Sequence, residues 1–393
     1  MSIQEWMDSD PMRQARLSMF GDKHNSFCTR CYIEEDHSTT SRRHRSNQKS
    51  VLFTRTNFNA SYLQSPGYER FERSRTEDGA YDGMPIDLHI DLGNYCNLAC
   101  KMCNPRTSSN IAFQYKKWNI HGAEKYIGTD WTRDQEVWLR VLDELADIHN
   151  LKNIHFMGGE TLITKRFEEF VDFMIDRGRF DINFSFVTNG TTFNSNLLEK
   201  LMKFQRTGIE VSIETTTDHN AYQRQGTDTK KVIENIDRYI DFCDNDRVTL
   251  TVRPAVSLLT IGYYPTLLEF CLDKKLMIKS LLCYNPSYLD ARILPREIKN
   301  LYIGRYQEIL SKYRLDDVDT SMDYNESDPN QLDRTIKNQI IQCTNVLKAS
   351  EPPDAQQRLA ELVRWCRRWD DLYGYDAREL YPELQSILDQ YEY

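Results

Sequence analysis

From residue 84 onward the chain alternates short runs of β-branched and aromatic residues with longer segments whose apolar positions recur at three- and four-residue steps. The short runs, at 86–92, 153–157, 182–187, 210–213, 248–252 and 278–282, read as strands. The periodic segments at 133–149, 165–177, 196–204, 230–243 and 264–274 read as helices between them. This is the order of βα units wound around a parallel sheet, so the predicted class is α/β. Six units predict a partial (β/α)6 barrel of TIM-like form, although a doubly wound open sheet has the same local pattern. Beyond Pro295 the pattern turns helical, at 297–313 and 357–370, with an acidic, turn-rich stretch at 316–328 between them. Residues before 84 are polar and weakly periodic. The expected division is an appended module at 1–83, a catalytic barrel at 84–290 and a helical extension at 291–393.

Length and composition fit this picture: 393 residues, 40 % of them apolar, can supply a core for one full-sized domain with smaller modules. Lys and Arg number 50 against 59 Asp and Glu, a net charge of -9, which argues against a general nucleic-acid binder. Apolar stretches such as 256–259 are far shorter than the roughly 20 residues of a membrane helix, so no membrane span is expected. The start, Met1-Ser-Ile-Gln-Glu-Trp6, has no secretory or transit pattern, and a cytoplasmic location is expected. The ten cysteines then point to reduced thiols used for metal or redox work.

Their spacing is informative. Cys96, Cys100 and Cys103 form a CxxxCxxC run directly after the first strand, where loops at the carboxyl ends of barrel strands converge on one face. Three thiolates suit a [4Fe–4S] cluster with one iron open to a further ligand. Zinc wants a closed set of four, and no neighbouring His or Cys completes this one. With this motif the sequence resembles the radical S-adenosylmethionine (SAM) superfamily, and the resemblance extends over roughly 84–290. Gly158-Gly159-Glu160 after the second strand is similar to the turn that binds the methionyl amino group. Its glycines would let backbone approach the cofactor. Thr188-Asn189-Gly190 after the third strand and Ser212 and Glu214 after the fourth are similar to segments flanking the SAM site. Arg224 matches an arginine that approaches the SAM carboxylate, and Met102 stands where backbone touches adenine. The resemblance implies a [4Fe–4S] cluster, SAM, a 5′-deoxyadenosyl radical that abstracts a substrate hydrogen, and an electron donor such as flavodoxin or ferredoxin.

The N-terminal Trp6, Arg13, Arg16, Gly21, Cys28-x-x-Cys31-Tyr32-x-x-Glu35, Ser41-Arg42-Arg43 and Asn47 look like the latter half of a SPASM/twitch module, which in that subfamily holds an auxiliary iron–sulfur cluster. Cys28 and Cys31 supply two of the four ligands such a cluster needs. An auxiliary cluster, an empty pair and zinc all stay open. Cys283, at a strand end, is the best single completing ligand, while Cys243, Cys271, Cys343 and Cys366 read as buried apolar thiols. Arg42 to Arg45 form a basic run that would grip a phosphate or an acidic peptide, or be simply solvated. The resemblance favours a peptide or protein side chain as substrate. The alternatives are a small metabolite or nucleotide, or a non-catalytic iron–sulfur scaffold or redox sensor.

Overall fold

The computed structural model describes residues 2–20, 25–37, 41, 43–44, 66–128, 130–243, 247–320 and 328–391. Gly21, Arg42, Arg45 and Asn47 lie outside them. Two compact units result, one of residues 1–88 with 136–152 and one of 89–135 with 153–393. The segment 136–152, read from sequence as part of the barrel, thus clusters with the N-terminal unit, and the C-terminal helices cluster with the sheet.

The N-terminal unit is helical where the sequence showed only weak periodicity, with helices Ile3–Met7, Asp10–Met19, Thr29–His37 and Pro66–Thr76 among its described residues. The first opens on a capping box in which Ser2 and Glu5 satisfy each other's backbone. Arg16 Nε donates to the carbonyl of Gly79 at 2.8 Å, tying the second helix to the segment after the fourth.

The second unit holds a six-stranded sheet in the order β1-β3-β4-β5-β7-β9: β1 is Asp87–Asp91, β3 Asn153–Met157, β4 Asn183–Thr188, β5 Arg206–Val211, β7 Val248–Val252 and β9 Met277–Ile278. Neighbours from β3 to β9 pair in parallel, as the βα pattern requires. Short pieces complete the set: β2 (Ala99–Cys100) pairs antiparallel with β6 (Arg224–Gln225), and β8 (Ala255–Val256) pairs in parallel with β10 (Leu281–Leu282). Two strands differ from expectation. β5 is Arg206–Val211, beginning four residues before the predicted 210; Gly208 pairs with Ser185 within the ladder, where an added Cβ would lie 3.1 Å from the serine's. The predicted strand 278–282 is split, and its second half joins a separate ribbon.

Strand alternation gives the sheet two different faces. Ile154, Phe156, Phe184, Phe186, Ile209 and Val211 are fully buried, and Phe156 packs edge-on against Phe167 and Phe170 of the helix Lys165–Asp176 at 5.0 and 4.9 Å. This is the apolar core under the helices. The other face carries His89, His155, Ser185 and Glu210. The helices Arg296–Lys312, Gln331–Lys348 and Ala355–Tyr373 follow the last strand.

Candidate functional site

The loop after β1 is held by its own backbone and by short polar side chains. Asn94 donates to the carbonyls of Pro105 and Tyr126 at 2.8 and 2.9 Å, and its own carbonyl accepts from Ser109 N at 2.6 Å. Ser109 Oγ accepts from Cys96 N at 3.2 Å, and Ser108 Oγ donates to the Leu98 carbonyl at 3.0 Å. Between these pins the three cysteines are fixed in place. The Cys100 thiol donates to the Cys103 sulfur, which raises the pKa of the first and lowers that of the second. Burial pushes the Cys96 thiol up to about 12.

The three segments expected to frame a cofactor all reach this loop. Gly158 and Gly159 have φ of +94° and +56°, and a Cβ on them would meet Asp91 Oδ1 at 1.9 Å and the Tyr95 carbonyl oxygen at 2.1 Å. Glycine is therefore demanded at 158 by Asp91 at the end of β1 and at 159 by the cysteine loop, whatever else approaches them. Glu160 N donates to the Tyr95 carbonyl at 2.8 Å, so the turn and the loop are directly bonded. The buried Glu160 carboxylate accepts from Thr188 Oγ1 and Asn189 N, both at 2.6 Å, and from Leu162 N at 3.2 Å. Burial raises its pKa against these bonds. Asn189 in turn donates to Asn97 Oδ1 at 2.8 Å, closing a ring of contacts from turn to turn to cysteine loop. Ser212 is buried and its N donates to the Thr188 carbonyl at 2.8 Å.

Arg224 faces Cys100 across the β2–β6 ribbon. Its guanidinium forms a two-pronged ion pair with Glu214 at 2.6 and 2.7 Å and points Nη1 at Cys100 Sγ, 3.7 Å away. Burial works against that charge, but Glu214 and Cys100 outweigh it and raise the Arg224 pKa. The arginine expected to approach the SAM carboxylate is thus already committed to Glu214 and Cys100. Met102 is half-buried in the same loop. Cys283 is half-buried after β10, its N bonded to the Val256 carbonyl at 2.8 Å.

One residue that sequence reasoning passed over is Lys101, between two of the cysteines. Its side chain is buried, with Nζ 3.6 Å from the Tyr222 ring centre, 4.9 Å from Trp369 and 5.8 Å from Tyr375. Nζ also donates to the Tyr222 carbonyl, and Tyr222 Oη donates to Asp370 at 2.9 Å. Burial draws its pKa down to about 7. The C-terminal helix Ala355–Tyr373 therefore clasps the cysteine loop through one lysine. A cavity of about 350 Å³ opens beside this clasp, lined by Asn97, Ala99, Phe113, Lys117, Gly226 and Tyr373 among others.

Among the described residues no three of His, Cys, Asp and Glu converge closely enough to hold a single metal ion. An iron–sulfur cube asks for a different arrangement, since its cysteines ligate different irons. Three soft thiols on a pinned loop, with a buried guanidinium beside one of them, fit that group and its net negative charge. No helix among the described residues is long and apolar enough to cross a membrane.

Comparison with known proteins agrees with this chemistry. Residues 90–253 match the family model described as the Radical SAM superfamily. No curated protein matches the chain. Similar solved structures include native anSMEcpe with bound AdoMet, at 19 % identity and a TM-score of 0.41, over 58 % of this chain and 62 % of that one. Another is Streptococcus suis SuiB bound to precursor peptide SuiA, at 13 % identity and a TM-score of 0.38, over 64 % and 53 %. TYW1 with a lysine-pyruvate adduct bound aligns at 15 % identity and a TM-score of 0.29, over 57 % and 73 %. The chain thus spans about three fifths of the first of these and about half of the second. The CxxxCxxC loop lies inside the matched segment, so residues 90–253 carry a radical SAM domain.

Proposed function

We propose that this enzyme takes hydrogen from a peptide or protein side chain. When bound, the cluster supplies the electron that splits SAM into methionine and a 5′-deoxyadenosyl radical. In this reading Cys96, Cys100 and Cys103 hold the cluster, and Arg224 steadies Cys100 with positive charge. Gly158, Gly159, Glu160, Thr188, Asn189, Ser212 and Glu214, with Met102, frame SAM. Glu160 has three of its lone-pair directions filled, which leaves one acceptor position for an ammonium group.

The observation that supports a peptide over a nucleotide or phosphorylated metabolite is the state of the arginines at the strand ends. Arg224 is paired with Glu214, and Arg253 with Glu210. A phosphate would have to compete with both carboxylates, whereas an uncharged stretch of peptide would not. Tyr95 and Met157, 61 % and 39 % exposed beside the glycine turn, add apolar surface along which a chain can lie. The test is anaerobic reconstitution, reduction, and addition of peptide or small-molecule fractions of a cell extract. Peptides should stimulate 5′-deoxyadenosine release and change in mass; stimulation by the small-molecule fraction alone would transfer the reading to a metabolite.

A further inference from the structure

Lys101 stands between two of the three cysteines of the loop, and its ammonium loses water on burial, a cost that something in the fold must offset. One carbonyl and three rings do so. Nζ donates to the Tyr222 carbonyl, with the ring centres of Tyr222, Trp369 and Tyr375 at 3.6, 4.9 and 5.8 Å. The negative faces of such rings attract a cation, most strongly where water is excluded. Trp369 belongs to the helix Ala355–Tyr373 and Tyr375 follows its end, so two of the three rings come from the C-terminal segment. The third is tied to the same segment. Tyr222 Oη donates to Asp370 Oδ1 at 2.9 Å, and the other oxygen of that carboxylate accepts from Ala377 N at 2.7 Å. The Tyr222 and Tyr375 rings also meet edge-on at 5.4 Å.

The backbone around the lysine is anchored elsewhere. Lys101 N donates to the Gln223 carbonyl at 2.8 Å, Cys103 N donates to the Cys100 carbonyl at 2.9 Å, and Cys100 pairs with Arg224 across the β2–β6 ribbon. The turn that carries Cys100 and Cys103 is therefore fixed at its backbone by residues 223–225 and, through a single side chain, by residues 369–377. Cys96 is held differently, by Ser109 of its own loop. A methionine at 101 would have much the same reach but neither the bond to the carbonyl nor the attraction to the rings. We propose that Lys101 is a positioning residue: through it the C-terminal helix holds Cys100 and Cys103 in place, and the docking of that helix sets the reduction potential of the cluster they bind. This rests on the reading above that the three cysteines hold the cluster. Loss of the cage lowers the potential, because a buried cation beside a negatively charged cluster favours its taking up an electron.

The test compares Lys101→Met, Trp369→Leu and the double variant with Trp118→Leu, which takes an indole away from Trp365 of the same helix and leaves the cage whole. Electron paramagnetic resonance during a redox titration reads the midpoint potential, and hydrogen exchange of the cluster-free proteins reads the loop. Both single variants should lower the potential and speed exchange over 96–103 by about tenfold, with β4 exchanging as in wild type. The double variant should add little to either single one, since each breaks the same link. Trp118→Leu should match wild type in both readouts. Wild-type potential and loop exchange in Trp369→Leu overturn the proposal, as do single effects that simply add, or equal effects in Trp118→Leu. If Trp369→Leu does not fold, Tyr375→Leu removes an exposed ring of the cage and should move both readouts in the same direction; no movement overturns the proposal. A wild type that assembles no cluster on these cysteines overturns the underlying reading, and the proposal with it, before any variant is compared, so the two failures are told apart.

Discussion

The chain places cysteines close together in two regions, and the two are built on different plans. Around Cys96, Cys100 and Cys103 every turn of the loop has a hydrogen-bonded partner, and three later segments, at 158–160, 188–191 and 224–225, reach in to hold it. The thiols are mostly buried and act on one another. Cys28 and Cys31 instead sit at the start of the helix Thr29–His37, half-buried, and among the described residues no third ligand-type side chain gathers with them into a metal site. What orders that region is a surface pair further along: Glu35 accepts from Ser41 and Arg43, and Arg43 lies 5.2 Å over the Tyr32 ring. Short sequence spacing alone does not make a site. A frame that holds the donors at fixed distances does, because it has settled the entropy of ordering them before the ligand arrives.

The largest expected effect breaks the frame's purpose outright. Changing Cys96, Cys100 and Cys103 together to Ala should abolish cluster absorbance, iron content and SAM cleavage while leaving the far-ultraviolet circular dichroism intact. Retained iron at the wild-type level would move the site elsewhere. Next comes the frame itself: Gly159→Val puts a Cβ against the Tyr95 carbonyl oxygen in a left-handed conformation, and should cost about 3 kcal/mol of unfolding stability along with cluster retention. Denaturant unfolding of the cluster-free protein measures the first loss separately from the second. A variant as stable as wild type would show that the turn and the cysteine loop are not mutually constrained.

The predicted strands at β3 and β7, the helix at 264–274 and the cysteine loop were legible in the sequence because each rests on local pattern. The reason for Gly159 was not. Sequence suggests a cofactor's approach, and only the folded loop reveals that a carbonyl of the same chain occupies the place of the missing Cβ. Lys101 was invisible for a similar reason, since its three aromatic neighbours lie about 120 to 270 residues later. The polar residues His155, Ser185 and Glu210 on the sheet's other face did leave a signal: each alternates with buried residues such as Phe156, Phe186 and Ile209, so period two alone put them opposite the core. What period two lacks is register across strands, and without it three single polar residues do not become a group.

A smaller effect sharpens the contrast between the two cysteine regions. If Cys28 and Cys31 lack a frame, reconstituted wild type should carry about four irons, and the double change Cys28→Ala/Cys31→Ala should leave that count and SAM cleavage unchanged. About eight irons in wild type, falling to about four in the variant, would mean that Cys283 or ligands outside the described residues complete a second site.

The smallest expected effect concerns what does hold the N-terminal helix. Hydrogen bonds from Arg43 and then Ser41, with the nearby charges of His44 and Arg43, lower the Glu35 pKa below its ordinary 4.5. A carboxylate depressed on folding contributes stability that is fully present above its unfolded pKa and is lost as pH falls through the lower folded value. Hydrogen-exchange protection over Thr29–His37, corrected for intrinsic rates, should therefore hold steady from pH 7 to about 5 and decline below about 4.5. The decline should be modest because the pair is partly exposed. Arg43→Gln should lower protection at neutral pH and flatten the acid limb, while exchange over the cysteine loop at 96–103 stays as in wild type. An acid limb of unchanged depth in Arg43→Gln would show that another group orders this helix, and that the Glu35 pair is a bystander to the two cysteines.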